Sequence, residues 1–337
     1  MAETIAEIGE EGLIELFAVE GGALGEKVLV PNGDDCAAWF VDPKYASVIT
    51  TDTLVEGVHF DRTYTPPSAL GRKLVAVSLS DVAAMGATSR YLLLSVCLPP
   101  ETETAWVVKL TAGIREITRA QGVAVIGGNT TTIHGPIVLS STVIGRIQPP
   151  ELIRRRGTLL GDAIFVTGRL GEARAGLHLA QAGERPTPDD PTFPLFSALI
   201  DPQPRTKAGR HLAQAHLAHA MCDVSDGLGK DLRRLLVPEG LGARLEALQL
   251  PISDELRAYC GRIQARPEDF AMRGGEDYEL LFTAAPEDEA AIRDACTQAG
   301  TPVSRIGSVT PGPEVEISLP DGTVEEVPTG FEHFPGA

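Results

Sequence analysis

Asp81 stands where an apolar side chain belongs. Over residues 68–85 the sequence repeats at helical period, and Leu70, Leu74, Val77, Asp81 and Met85 fall on one stripe at steps of three and four. A helix that buries this stripe buries a carboxylate with it. An unpaired buried carboxylate is costly, so the fold has to bring Asp81 a cation or a metal ion. Two arrangements are open. Arg72 or Lys73, one or two turns earlier, closes a buried salt bridge, or oxygen donors from distant segments gather with Asp81 around an ion. The basic pair points elsewhere on the helix, which favours the metal.

Other segments supply such donors. In 50–60, TTDTLVEGVHF, the strand ASVI ends in Thr51 and Asp52, two small oxygen donors suited to a hard cation such as Mg²⁺. A plain turn is the alternative. His59 follows seven residues on, between Gly57 and Phe60. In 31–38, PNGDDCAA, a turn delivers two carboxylates just before an apolar segment. It is either a solvated Asx-type turn or a route by which Asp34 reaches a metal shared with Asp52. In 221–231, MCDVSDGLGKD, Asp226 fits the N-cap of the next helix, whereas Asp223 and Ser225 suit metal and phosphate contact. The glycine pair in 127–131, GGNTT, reads as a turn after the short strand 123–126, where backbone N–H groups approach an anion closely. Arg154, Arg155 and Arg156 offer a phosphate contact or a patch balancing local acid. The stretch RGGEDYELLF presents an acidic pair ahead of a strand, and GFEHF carries two aromatics.

The chain's 337 residues suggest two domains, 1–148 and 149–337, divided at Pro149-Pro150. Thr4 and Glu7 have capping-box spacing at the head of a first helix, which Gly21 and Gly22 end. Strands at 92–98 and 137–147, a helix at 102–121, a strand at 163–168 followed by a helix, and a hairpin around Asp321-Gly322 make the class α/β. Residues 181–207 hold six prolines and read as an irregular connector. A helix over 207–219 carries three ordinary histidines. The net charge of −17 argues against a nucleic-acid or anionic-membrane surface. Five scattered cysteines form no C-x-x-C pair, so neither zinc nor a disulfide framework is indicated. No apolar run approaches the roughly 20 residues of a membrane span, and no secretory layout opens the chain. A cytoplasmic protein is expected.

The chain has no G-x-x-x-x-G-K-[ST] and no G-x-G-x-x-G. Its many carboxylates, few nitrogen donors and absent sulfur pairs point to Mg²⁺ ions that neutralise charge on a polyphosphate. The residues alone reach an ATP-using enzyme without a Walker motif, and stop short of the acceptor.

Taken together, GDDCA (33–37), TTDTLVEGVHF (50–60), SDVAAMGA (80–87), GGNTT (127–131), VTG (166–168), DVSDGL (223–228), GGEDYELLF (274–282) and GFEHF (330–334) occur in the order found in thiamine-monophosphate kinases. The chain resembles that family from Gly33 to Phe334. The resemblance implies a two-domain aminoimidazole-ribonucleotide synthetase-like fold, with the N-terminal sheets of two subunits pairing into a homodimer. It implies ATP-dependent phosphorylation of thiamine monophosphate to thiamine diphosphate. Asp34, Thr51, Asp52, Asp81, Asn129, Asp223 and Asp226 would hold several Mg²⁺ ions. Gly128, Asn129, Arg155 and Ser225 would contact ATP, and His59, Glu276 and Phe331 would line the acceptor pocket. No catalytic base is implied. Asn129 departs from the family's usual Asp and removes one negative charge. This leaves a second reading, a nucleotide-binding homologue with impaired kinase activity, and a third, another ATP-dependent member of the superfamily. A selenophosphate synthetase would show a reactive Cys near its N-terminus, and the first 35 residues contain none.

Overall fold

The computed structural model describes residues 5–17 and 27–332. Helix α1 (Ile5–Phe17) is broken at Gly9, whose φ of 67° and ψ of −174° are not helical. Thr4, Gly21 and Gly22, expected to bound it, lie outside the described residues.

The first sheet contains β1 (Val28–Val30), β2 (Ala37–Phe40), β3 (Ala46–Val55), β4 (Thr88–Leu98), β5 (Ala124–Thr132) and β6 (Val138–Ile147). Their spatial order is β1-β2-β3-β6-β4-β5, antiparallel except for the β4–β5 pair. Helices α2 (Pro67–Ala84) and α3 (Thr104–Gln121) belong to this half. The second sheet contains β7 (Ala163–Thr167), β8 (Ala220–Asp223), β9 (Leu241–Glu246), β10 (Leu280–Ala284), β11 (Val303–Pro311), β12 (Val315–Ser318) and β13 (Val324–Glu326), in the order β13-β12-β9-β11-β7-β10-β8. Its helices are α4 (Glu172–Gln181), α5 (Phe193–Ile200), α6 (Thr206–Gln214), α7 (Leu228–Leu236), α8 (Asp254–Ile263), α9 (Pro267–Arg273) and α10 (Glu289–Gln298). The α/β class expected from the sequence holds. No helix among the described residues is long and apolar enough to cross a membrane.

Four local expectations change. β3 runs through Thr51 and Asp52 instead of ending before them, because Thr50 to Thr53 pair with Ser140 to Val143 of β6. Threonines suit a pleated, half-exposed strand. Residues 127–131 form part of β5 and not a turn, paired in parallel with β4. Gly128 sits at φ 154°, and a Cβ there would lie 1.8 Å from the carbonyl oxygen of Leu94. The proline-rich 181–207 is not wholly irregular, since it contains α5 with Pro194 in its first turn, a position where no N–H is needed. Helix α6 stops at Gln214, and His216 takes a left-handed φ of 53°.

Helix α2 organises the packing. Leu70, Leu74, Val75, Val77 and Leu79 are fully buried and join the core beneath the first sheet. Ala83 and Ala84 belong instead to a core with Phe165, Leu212 and Phe282 of the second half. Close approach on two sides needs glycine. A Cβ on Gly71 would lie 2.1 Å from Leu110 O of α3, and one on Gly209 of α6 would lie 2.1 Å from Ala83 O. Gly71→Ala should therefore lower the thermal unfolding midpoint. Overpacking of about 1–3 kcal/mol exceeds the helix-propensity gain of about 1 kcal/mol. Gly261→Ala, in α8 with open space around it, should raise the midpoint instead.

Candidate active site

Asp35 from the loop before β2, Asp81 from α2 and Asp223 from the end of β8 each place a carboxylate oxygen within 4.8 Å of the others. The Oδ2 atoms of Asp35 and Asp223 are buried without a well-formed hydrogen bond, and the Ser80 hydroxyl near Asp223 only tempers the rise of that carboxyl. Asp81 accepts from Thr50 Oγ1 at 2.5 Å. Asp52 lies alongside, accepting from Ser78 Oγ at 2.7 Å. Burial drives the Asp81 carboxyl well above its ordinary range, and the charges of Asp52, Asp223 and Asp35 push it further. Asp223 is raised by burial first and then by Asp35. Burial also raises Asp52 and Asp35, the latter against the pull of Arg155. Buried and half-buried oxygen donors of this kind, without nitrogen or sulfur, fit a hard divalent cation such as Mg²⁺. Asp35, Asp81 and Asp223, with Asp52 beside them, are the residues that would hold it.

The acid that joins the trio is Asp35, whereas the sequence points to its neighbour Asp34. Asp34 instead accepts the backbone N–H of Arg155 at 3.1 Å and that of Asp35 at 2.9 Å. The Arg155 guanidinium, expected on ATP, pairs with Asp35 through Nε at 3.1 Å and through Nη2. Thr50 and Asp52 face α2, and strand parity turns Thr51 to the opposite face. There its hydroxyl meets Thr142 Oγ1 at 3.0 Å. Asp81 does not pair with Arg72 or Lys73. Arg72 binds Asp201 and Glu116, and Lys73 binds Glu276. Asp226 caps nothing and is matched by Arg234 at 2.8 Å and Lys230 at 3.1 Å. Its loop is shaped by Asp231, which the sequence reading passed over. Asp231 Oδ2 accepts the N–H groups of Ser225, Asp226 and Gly227 at 3.1, 3.0 and 3.0 Å. The available signal was an acidic residue one turn inside a helix that starts after a glycine.

Beside the cluster opens a cleft of about 410 Å³ between the two halves. Asp52 and His59 line it from one side, and Ser225, Asp226, Glu276 and Phe331 from the other. His59 Nδ1 accepts the Val55 N–H at 3.1 Å, which assigns the ring proton to Nε2. Phe331 is 49% exposed, and its backbone N–H is fixed on Asp226 O at 2.8 Å. Glu276 takes a left-handed φ of 66° and donates its N–H to Ser225 O at 2.8 Å. Its carboxylate is not a bare charge, because Lys73 Nζ lies 2.7 Å from Oε1. Gly128 and Asn129 are elsewhere. The register Thr53–Ser140–Ser95–Asn129 puts Asn129 three strands from β3, about 14 Å at ordinary strand spacing.

Residues 33–147 match the family model for the N-terminal domain of AIR synthase related protein, and residues 160–320 match that for its C-terminal domain. The thiamine-monophosphate kinase of Rhodopirellula baltica is 35% identical over 315 residues, covering 91% of this chain and 92% of that one. The chain belongs to the thiamine-monophosphate kinase family. The Haemophilus influenzae member is 34% identical, covering 97% and 98%. The solved structure of AaThiL complexed with AMPPCP and TMP superposes with a TM-score of 0.85 at 31% identity, covering 99% of each chain. Enzymes of this family are phosphotransferases.

Asp34 and Asp231 titrate at about 6 in the folded chain, against an ordinary 3.8, chiefly through burial. The folded state then takes up protons more readily than the unfolded one. The metal-free fold should gain stability as pH falls through about 6 and lose it as pH rises. Mg²⁺ favours the charged carboxylates and opposes this trend. Thermal midpoints measured in chelator should be higher at about pH 5.5 than at about pH 7.5, and added Mg²⁺ should raise the midpoint more at the higher pH.

Proposed function

We propose that this chain transfers the γ-phosphoryl group of ATP directly to thiamine monophosphate, giving thiamine diphosphate and ADP in thiamine diphosphate biosynthesis. The observation that carries the reading is the trio Asp35, Asp81 and Asp223 beside a cleft built by both halves. The names of the relatives support the two substrates. Bound Mg²⁺ ions would neutralise the charge that develops on the transferred group. Asp35, Asp81, Asp223 and Asp52 would hold them. An oxygen of the acceptor phosphate forms the new bond to the γ-phosphorus, while the bond to the β–γ bridging oxygen breaks and leaves with ADP. The acceptor oxygen is already anionic at neutral pH, so no side chain is required as a base. Catalysis then rests on in-line positioning and electrostatics.

Phe331 offers a flat face to the cationic thiazolium. His59 and Glu276 fix the remainder of the acceptor, and Ser225 and Arg155 lie on the nucleotide side. The division at 148/149 separates a metal- and ATP-binding half from a C-terminal half. The protein works in the cytoplasm as a homodimer in which N-terminal sheets pair. The edge strand β5 supports this, with Val125 and Ile126 exposed at 49% and 55%. Pairing there would also give Gly128 and Asn129 a place near nucleotide.

Asn129 favours one competing reading, a homologue that binds nucleotide with little turnover. Phosphorus NMR of the protein with ATP, Mg²⁺ and thiamine monophosphate separates the two. Thiamine diphosphate and ADP should accumulate, and Asp223→Asn should slow turnover by about a hundredfold or more. Turnover that appears only in Asn129→Asp would favour the impaired homologue. ATP consumed on another acceptor would remove the thiamine assignment.

A further inference from the structure

Lys73 is among the largest fully buried side chains of the described residues, with 1% of its surface exposed. It lies on α2 between Leu70 and Val77, at the spacing of the apolar face. Burying an ammonium group costs stability unless every proton finds a partner, and an apolar residue of similar size often serves a fold as well or better. The Lys73 ammonium is matched on three sides, by two hydrogen bonds and, at Glu276, by a close ion pair without hydrogen-bond alignment. Nζ lies 2.7 Å from Glu276 Oε1 and donates to His59 O at 3.2 Å and to Leu199 O at 3.0 Å. The partners come from three places: the turn ahead of β10, the loop after β3 and the last turn of α5. Two of the three residues so held, Glu276 and His59, line the cleft. Leu199 O belongs to a helix C-terminus, whose partial negative charge suits a cation.

Glu276 carries a second mark. Its φ of 66° is a conformation that side-chain-bearing residues rarely adopt. The bond from its N–H to Ser225 O holds the backbone, and Lys73 holds the carboxylate. With Oε1 taken by Lys73, Oε2 is left for the cleft.

We propose that Lys73 is a positioning residue for the acceptor side of the cleft, setting Glu276 and the His59 loop against each other across the two halves of the fold. It also turns Glu276 from an isolated counter-charge into an oriented hydrogen-bond acceptor. A ligand recognised there presents an N–H donor to Oε2, as the aminopyrimidine of a thiamine phosphate does. The assignment of that ligand rests on the function proposed above.

The test is a double-mutant cycle with a structure beside it. Lys73→Met should raise KM for thiamine monophosphate by about tenfold or more, while KM for ATP changes by less than about twofold. Glu276→Gln should act in the same direction, and the double variant should fall clearly short of the product of the two single penalties, since Lys73 acts in large part through that carboxylate. If Lys73→Met does not fold, Lys73→Gln keeps a donor for the two carbonyl oxygens and takes its place. A crystal structure of the folded variant without ligands should show the Glu276 carboxylate and the His59 loop displaced. Penalties that multiply, KM for both substrates rising together, or Glu276 unmoved in that structure would each overturn the proposal. Unmodified protein that fails to phosphorylate thiamine monophosphate would instead count against the functional reading, and the crystal structure would still decide Lys73.

Discussion

Three carboxylates occupy a space too small for three uncompensated charges. Asp35, Asp81 and Asp223 repel one another in a region from which water is largely excluded, and repulsion of that kind weakens a fold. The surrounding structure is built to bear it. Asp35 is tied to Arg155, Thr50 donates to Asp81, and Ser78 donates to Asp52. None of these contacts cancels the excess negative charge. The arrangement persists because Asp81 and Asp223 sit on elements fixed by apolar packing and Asp35 is held by Arg155. A bound cation, which the proposed function places there, would relieve that repulsion. Sites whose function demands strain or repulsion trade stability in this way.

Helix α2 ties the cluster to the rest of the cleft. Lys73, Ser78 and Asp81 stand on one rigid rod, and eight residues of helix separate the first from the last by about 12 Å along the axis. That span sets the distance from the Glu276 side of the cleft to the carboxylate cluster. The rod is held from three directions. Glycine contacts press it against α3 and α6, and its middle turns bury their side chains under the first sheet. The in-line transfer proposed above would tolerate little error in the separation of donor and acceptor. A helix packed on every side is a better spacer than any loop.

Much of this was legible in the sequence, and the misses have physical causes. The Asp81 stripe foretold a buried carboxylate in need of partners, because helical period and hydrophobicity are local properties. The choice between Asp34 and Asp35 was not local. Which of two adjacent acids faces inward depends on where β2 begins and on where Arg155 arrives from more than a hundred residues away. Thr51 and Asp52 are neighbours in sequence, yet strand parity sends neighbours to opposite faces. The GGNTT stretch read as a turn on glycine content, and pairing with β4 overrode that propensity. Lys73 lies off the Asp81 stripe and is buried all the same, because α2 has almost no outward side. Helix α5 was hidden by its prolines, one of which occupies a first-turn position where proline is well tolerated.

The allegiance of α2 to two cores sets a limit on recombination. The chain passes from one sheet to the other near Pro149, and a chimera joined there would seem to exchange whole modules between relatives. Yet Ala83 and Ala84 pack with Phe165, Leu212 and Phe282, and Gly209 is small because α2 leaves it no room. The covalent seam and the packing seam do not coincide. A donated C-terminal half inherits a surface moulded to a helix that stays behind, so the heritable unit is the pair of halves and neither half alone.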